Sequence, residues 1–429
     1  VAVVVGEVLR IVDAKGETLL TPEFPQVEGE SAIPGHVEWI PGGDSVLVLR
    51  LRGFRSWKVA KAEFPQGEAE EIEKLAASIP VLVKAALALG GDADSVESLL
   101  ARLKTNEPDR LRNAFYLSYE QDAGALAGLL SNAPKLRAKL EETGSGAGGY
   151  ALSQLDVVQL NPGASSVRPL LKSIVPLTPP QVSPEGGRIL VGHRRDDGAL
   201  LDLVTVDIAS GAENPVAAGL YPAYAWLDGQ SVLALSPLAG SESLVKQVKR
   251  FTLGKNKEWT EETLATALMP FAPRLEVLPD HSVLFSCQTG SLPAVQLETL
   301  PGSALFRYLL ESRELVQVPT AEGTLPMNLG YFTASPDGKW VAVVESDTDA
   351  VAVVEIASGK VDLISKPHAN SKCRTLPAWR NARELSFARL NEKSGRVEWL
   401  LWNLEGKIRI LNQSWPEETT ADWIETKKP

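Results

Sequence analysis

Few residues of this chain are suited to chemistry. Its four histidines are His36, His193, His281 and His368, and general-base or transition-metal work needs several such rings to converge. Two of them lie in charged stretches, His193-Arg194-Arg195-Asp196-Asp197 and Lys366-Pro367-His368. With Asp347 and Asp349 these make candidates for a mixed-charge surface that grips a polar partner. The carboxylate pairs Asp196 with Asp197 and Asp347 with Asp349 have the oxygen chemistry that calcium prefers. No loop adds a spaced series of further ligands, so no metal is expected. Aspartate also fills ordinary turns, where it bonds its own backbone, so the same residues read equally as solvated hairpin ends. An acid–base pair of the glycosidase kind would draw on Glu38, Asp228 or Asp422. No His-Glu-x-x-His, phosphate loop, glycine-rich dinucleotide fingerprint, nucleophile elbow or Cys pair at metal spacing occurs. Neither a catalytic constellation nor a cofactor is therefore expected.

The elements that would position these residues are repeats. Residues 331–365 read YFTASPDGKWVAVVESDTDAVAVVEIASGKVDLIS. A short extended run leads to the turn Ser335-Pro336-Asp337-Gly338, in which proline presets φ and glycine accepts a positive one. An apolar, β-branched strand follows, then a polar turn at 347–349, a strand over 351–356, the turn Ser358-Gly359 and a last strand. Four such strands make a small sheet that cannot cover its own apolar faces and so needs neighbours like itself. Similar turns stand at Pro41-Gly42-Gly43-Asp44, Ser183-Pro184-Glu185-Gly186, Asp228-Gly229, Pro279-Asp280 and Arg380-Asn381. Their spacing is that of propeller blades rather than solenoid turns. Residues 1–21 match the later part of the unit and lack its first strand. Residues 420–424, which resemble the first strands around Trp39 and Trp226, are expected to supply it and to close the ring.

Ser-Pro-Asp-Gly before an apolar strand, and a strand ending in Asp207-Ile208-Ala209-Ser210-Gly211, resemble the WD40-like repeat of the TolB-like propellers, which is shared with the propeller domains of prolyl oligopeptidases. The resemblance covers nearly all of the chain outside residues 76–149. It implies an all-β propeller of four-stranded antiparallel blades, seven being expected and six or eight the alternatives. It also implies an exported, periplasmic or extracellular setting and a protein or peptide partner. Neither the α/β domain that precedes the TolB propeller nor the hydrolase domain of the oligopeptidases has a counterpart here. In propellers the loops between second and third strands, and between blades, gather at one mouth of the channel. His193, Arg194, Arg195, Asp196, Asp197, Asp347, Asp349 and His368 are expected to share that rim.

The β pattern breaks at residues 76–143. Asp92-Ala93-Asp94-Ser95 reads as the cap of a helix with Val96, Leu99, Leu100 and Leu103 on one face, and Pro108 opens another with Leu111 and Phe115 inward. Asp122-Ala123 with Leu126, Leu129 and Leu130, then Pro134 with Leu136 and Leu140, repeat the scheme. Two helical hairpins in tandem are expected, followed by a glycine-rich linker at 144–149. The expected organisation is a propeller over 1–75, the insertion over 76–149 and the rest of the propeller over 150–429. Arg102, Lys104, Arg110, Arg112, Lys135, Arg137 and Lys139 make the insertion locally basic.

Composition bounds the partners. The chain has 429 residues, 44% hydrophobic and 23% charged, enough for a large core. A net charge of -11 argues against nucleic acid, which needs a cationic surface. The apolar run 79–89 is interrupted by Lys84 and is too short for a bilayer, so no membrane insertion is expected. Cys287 and Cys373 are too few for a disulfide framework and read as separate thiols. Val1 stands where an initiator Met would, so the sequence is expected to begin after processing or truncation. The reading is of a monomeric, non-enzymatic binding or scaffold protein, with a propeller hydrolase or lyase acting on glycans or peptides as the alternative.

Overall fold

The computed structural model describes residues 1–5, 8–13, 17–90, 93–105, 107–143, 149–161, 164–195, 199–238, 244–269, 274–287, 304–319, 329–345, 350–364, 377–391, 396–415 and 419–422. Seven four-stranded antiparallel sheets occur among them. Sheet 1 contains Ala2–Val5, Val8–Val12 and Thr18–Leu20, with Thr419–Asp422 paired to Ala2–Val5 in the register Ala2↔Asp422 to Val5↔Thr419. Sheet 2 contains Glu30–Trp39, Ser45–Phe54, Tyr150–Asn161 and Ala164–Ser173. Sheets 3 to 7 follow as meanders that begin at Gln181, Tyr224, Leu275, Leu329 and Ala378. The 331–365 unit folds as its pattern dictates, into Leu329–Ala334, Trp340–Glu345, Val351–Glu355 and Val361–Leu363.

Each sheet buries its faces against its neighbours. Val37, Trp39 and Val48 of sheet 2 pack with Val4 and Leu9 of sheet 1, while Leu47 and Leu155 pack with Ile189 and Val206 of sheet 3. Sheets 3 and 4, 4 and 5, 5 and 6, and 6 and 7 share one apolar cluster per pair. Trp399, Leu401 and Leu411 of sheet 7 pack with Val3 and Val12 of sheet 1.

The Ser-Pro-x-Gly turns do more than reverse the chain. The buried Ser335 accepts the Trp340 amide at 3.0 Å and donates to Asp337 at 2.7 Å. Gly338 has φ +67°, and a Cβ there would stand 2.7 Å from Pro279 of the preceding sheet's turn. Gly186 repeats this against Pro41 at 3.3 Å. The turn glycine is thus also a contact between sheets, which the turn chemistry alone does not reveal.

The helices leave sheet 2 between its second and third strands: α1 (Trp57–Glu63), α2 (Glu68–Ala76), α3 (Ile79–Ala88), α4 (Val96–Leu100), α5 (Pro108–Gln121), α6 (Ala123–Leu129) and α7 (Pro134–Thr143). Helix begins at Trp57, so residues 57–75, assigned from the sequence to the propeller, belong to the helical segment. The stretch escapes a pattern reading because α1 is short and Ser56 makes no side-chain cap; packing of Trp57, Ala60 and Ile72 fixes it instead. The caps that were legible do form, Ser95 in a capping box with Ser98 and Asp122 on the Ala125 amide. In place of two hairpins in tandem there is a bundle around α5, which buries Leu111, Ala114, Phe115, Tyr116, Leu117 and Tyr119.

A candidate binding face at the insertion end

In an antiparallel meander the link from second to third strand lies at the end where the fourth strand finishes. The helices of sheet 2, the 193–201 hairpin of sheet 3 and the links between consecutive sheets therefore share one end. Sheet 2 is built to carry the helices. Phe54 and Tyr150, the last and first residues of the interrupted strands, are register partners. Glu120 of α5 clamps both exits: its carboxylate accepts the Trp57 amide at 3.0 Å and the Tyr150 hydroxyl at 2.6 Å. Burial, and after it this bond to Glu120, pushes the Tyr150 hydroxyl far above its usual pKa. The Trp57 indole donates to Glu73 of α2 at 2.9 Å.

Beneath the helices runs a buried ionic network. Arg52 forks onto Glu30 at 2.6 and 2.8 Å and reaches Glu63 of α1 at 2.8 Å and Gln154 at 2.6 Å. Gln154 donates to Asp156 at 2.6 Å, and Lys172 joins Glu63 at 2.9 Å. Burial alone would raise the pKa of Glu30, but the Arg52 hydrogen bond and charge, with the Val27 amide, outweigh it and lower it. Glu63 is lowered for the same reason, against burial, by Lys172 and Arg52. Glu30 and Glu63 thus stay ionised and tie strand to helix.

Outward, α3 turns Val81, Lys84, Ala85 and Ala88 to solvent, with Leu89 just beyond its end, while Ile79, Val83 and Ala86 face the bundle. Val81 is 71% and Leu89 67% exposed, an apolar stripe at helical spacing. Much of the expected basic character is neutralised locally. Arg110 pairs with Glu68 at 2.7 Å, Arg112 with Asp109 at 3.0 Å and Arg137 with Glu141 at 2.7 Å.

Of the expected rim residues, His193, Arg194 and Arg195 are among the described residues. His193 shares its face of sheet 3 with Ile189 and Val191, which pack on sheet 2, and its ring lies 3.1 Å from Glu213 and 3.4 Å from Ser173. The bond to His193 lowers the pKa of Glu213. Arg194, one residue on, belongs to the opposite face by strand alternation and is exposed, as is Arg195, which reaches Asp202 of its own sheet at 3.6 Å. Asp196, Asp197, Asp347, Asp349 and His368 lie outside the described residues, as do Trp423 and Cys373. Among the described residues no group of three or more His, Cys, Asp or Glu is placed to hold a metal. Cys287 is a buried free thiol.

Two of the carboxylates considered for acid–base work accept backbone amides. Glu38 accepts the Val182 amide at 2.9 Å, and Asp228 accepts the Gln230 amide at 2.7 Å in a turn at the far end of sheet 4. Of Asp422 the structure describes the backbone. A groove of about 530 Å³ lies between the turns of sheets 5 and 6, where Asp280 is held by Ser282 and Arg307. It is away from the insertion end.

The first strands carry a cluster that motif reading missed. Arg274, just before the first strand of sheet 5, pairs with Glu276 at 2.6 Å and lies 4.0 Å over the Tyr331 ring of sheet 6. Burial raises the pKa of Glu276 in spite of Arg274. His36 on sheet 2 is desolvated, and secondarily feels the Arg274 charge, so its pKa falls to about 4. Only the alternation Arg-x-Glu at a strand start hinted at this pair.

These features describe an all-β protein of seven four-stranded antiparallel sheets, an organisation consistent with a β-propeller, with helices inserted in its second sheet. The chain is similar to TolB from Acinetobacter baumannii, with 17% identity over 62% of each chain and a TM-score of 0.44. It is also similar to a putative TolB from Agrobacterium tumefaciens, with 13% identity over 58% of this chain and 85% of that one and a TM-score of 0.41. An oligogalacturonate lyase in complex with manganese is 14% identical over 62% and 83% respectively, with a TM-score of 0.33. The match therefore spans less than two thirds of the Acinetobacter protein's length. No protein-family model and no curated protein matches the chain.

Proposed function

We propose that the protein is a non-enzymatic, monomeric propeller that docks a protein or peptide at its insertion end, with the helices as the recognition element. The observation that carries this reading is a rigidly clamped helical module whose α3 offers an unpartnered apolar stripe, Val81, Ala85, Ala88 and Leu89. Binding modules present such stripes, whereas a helix kept only for stability buries its apolar residues. We further propose that the seven sheets stand as blades around an axis and that both chain ends share one blade. The pairing of 419–422 with 2–5 and the packing of Trp399 on Val3 support that. The resemblance to TolB-like propellers suggests export. Among the described residues no helix is long and apolar enough to cross a membrane.

The test is capture of the cellular partner by the intact chain and by two variants. Val81→Glu with Leu89→Glu alters the stripe alone. In the second variant residues 55–149 are replaced by Asn-Gly, which Phe54 and Tyr150 as register partners permit. The partner is expected to bind wild type and neither variant. Equal capture by all three, or turnover of a glycan or peptide by the purified chain, overturns the reading.

A further inference from the structure

The second strand of sheet 2, Ser45–Phe54, has 10 residues, whereas those of sheets 3 and 4, Arg188–Arg194 and Ser231–Pro237, have 7 each. All three start directly after a first turn, so Ser45–Phe54 and its register partner Glu30–Trp39 run on past their neighbours at the insertion end. The two faces of this projection differ. On one, Glu30, Arg50, Arg52 and Phe54 are buried against the helices and Phe24. On the other, Ile33 and Leu51 stand directly opposite each other and are 45% and 54% exposed. Next along this face come Ser31 opposite Gly53, a row with little side-chain bulk, where a Cβ on Gly53 would stand 3.0 Å from the Ser31 hydroxyl. Arg55 closes it. Its amide continues the ladder onto the Gly29 carbonyl, which puts it in line with Gly53 and Leu51, about 13 Å beyond Leu51 at the usual rise per residue. Arg55 is exposed and forms no ion pair among the described residues.

We propose that this bare face docks an extended peptide segment of the partner, with apolar side chains on Ile33 and Leu51 and a carboxylate three or four residues away on Arg55. Two large apolar side chains paired across strands form a single patch, and covering it removes their exposed area from water. The flat row at Ser31 and Gly53 lets a peptide backbone cross between patch and cation, and a free guanidinium fork takes a carboxylate. The chain as a whole is acidic, at -11, so the preference for a negative charge here is local to Arg55. The inference rests on the insertion end being the docking end and adds the chemistry of what docks there. The face is separate from the α3 stripe.

The experiment is fluorescence anisotropy of the full chain with a fluorescein-tagged peptide, Asp-Ser-Ser-Leu-Leu-Ser-Ser-Asp, which offers the apolar–acid spacing in either chain direction. A second peptide carries Lys for both Asp, and a third Ser for both Leu. Wild type is expected to bind the first and neither of the others. Ile33→Glu with Leu51→Glu, at exposed positions that leave the core intact, should abolish binding. Arg55→Glu should weaken the acidic peptide by about fivefold and gain affinity for the lysine peptide. Val81→Glu with Leu89→Glu on α3 should leave the peptide affinity unchanged. No binding by wild type, equal binding of the lysine peptide, or binding that survives the Ile33 and Leu51 changes would each overturn this inference, and capture of the partner through α3 would then still stand. Loss of the peptide in the α3 variant would place it on the stripe instead, overturning this site and leaving the docking reading intact.

Discussion

His36 couples the acidity of the medium to the fold. Desolvation, helped by the charge of Arg274, lowers the pKa of its imidazole to about 4 from an ordinary value near 6.5. Between those values the unfolded chain takes up a proton that the folded chain refuses, so stability falls as pH drops through that window. The loss grows toward the lower end of the window. Urea midpoints measured at pH 7, 5.5 and 4.5 should therefore decline, and His36→Gln should flatten that part of the decline. An unchanged slope in the variant would mean that His36 is solvated in the folded state. The sequence placed His36 at the start of a first strand but said nothing of Arg274, whose approach is set by the arrangement of whole sheets. At this scale turn chemistry was legible and convergence was not. His193 and Arg194 are adjacent in sequence, which is why they fall on opposite faces of a strand.

Between elements, the connection of sheet 2 to its helices rests on Arg52. Four bonds from one guanidinium join Glu30, Glu63 and Gln154, and its side chain is only 5% exposed. Arg52→Ala leaves the buried Glu30 without its cation, while Glu63 keeps Lys172, and should cost about 3–5 kcal/mol. By contrast Lys74→Ala, which removes an exposed pair with Glu71, should be close to neutral. Chemical denaturation compares the two, and hydrogen exchange over residues 57–76 should rise in the first alone. If both variants matched wild type, the network would not be what holds the helices down. The four strands of each repeat were readable because apolar runs and turn residues alternate at fixed spacing. The helices after residue 92 were readable from Ser95, Pro108, Asp122 and Pro134. Those at 57–76 were not, because α1 has no side-chain cap and is held by residues far along the chain, Glu120 on the Trp57 amide and Tyr150 against its ring.

At the scale of the molecule, the two ends of the chain depend on each other. Ala2–Val5 is an inner strand of its sheet only because Thr419–Asp422 lies beside it. Thr420→Pro deletes the backbone donor paired with Val4 and imposes a fixed φ in that strand, and should cost about 3 kcal/mol. The thermal midpoint is expected to fall, with protection of the Ala2–Val5 amides lost first. Retained protection there would show that the pairing contributes little. Repeat spacing left seven sheets expected and six or eight open, and strand pairing places the helices within sheet 2, since it alone decides whether a long excursion interrupts a sheet or follows it. That place has a consequence of its own. Strands that part at Phe54 and meet again at Tyr150 do so about 5 Å apart, so to the rest of the architecture an excursion of some ninety residues is no more than a hairpin bend. Any compact module with neighbouring ends can be grafted there, and the specificity it brings can diverge while the surrounding scaffold keeps its ancestral spelling.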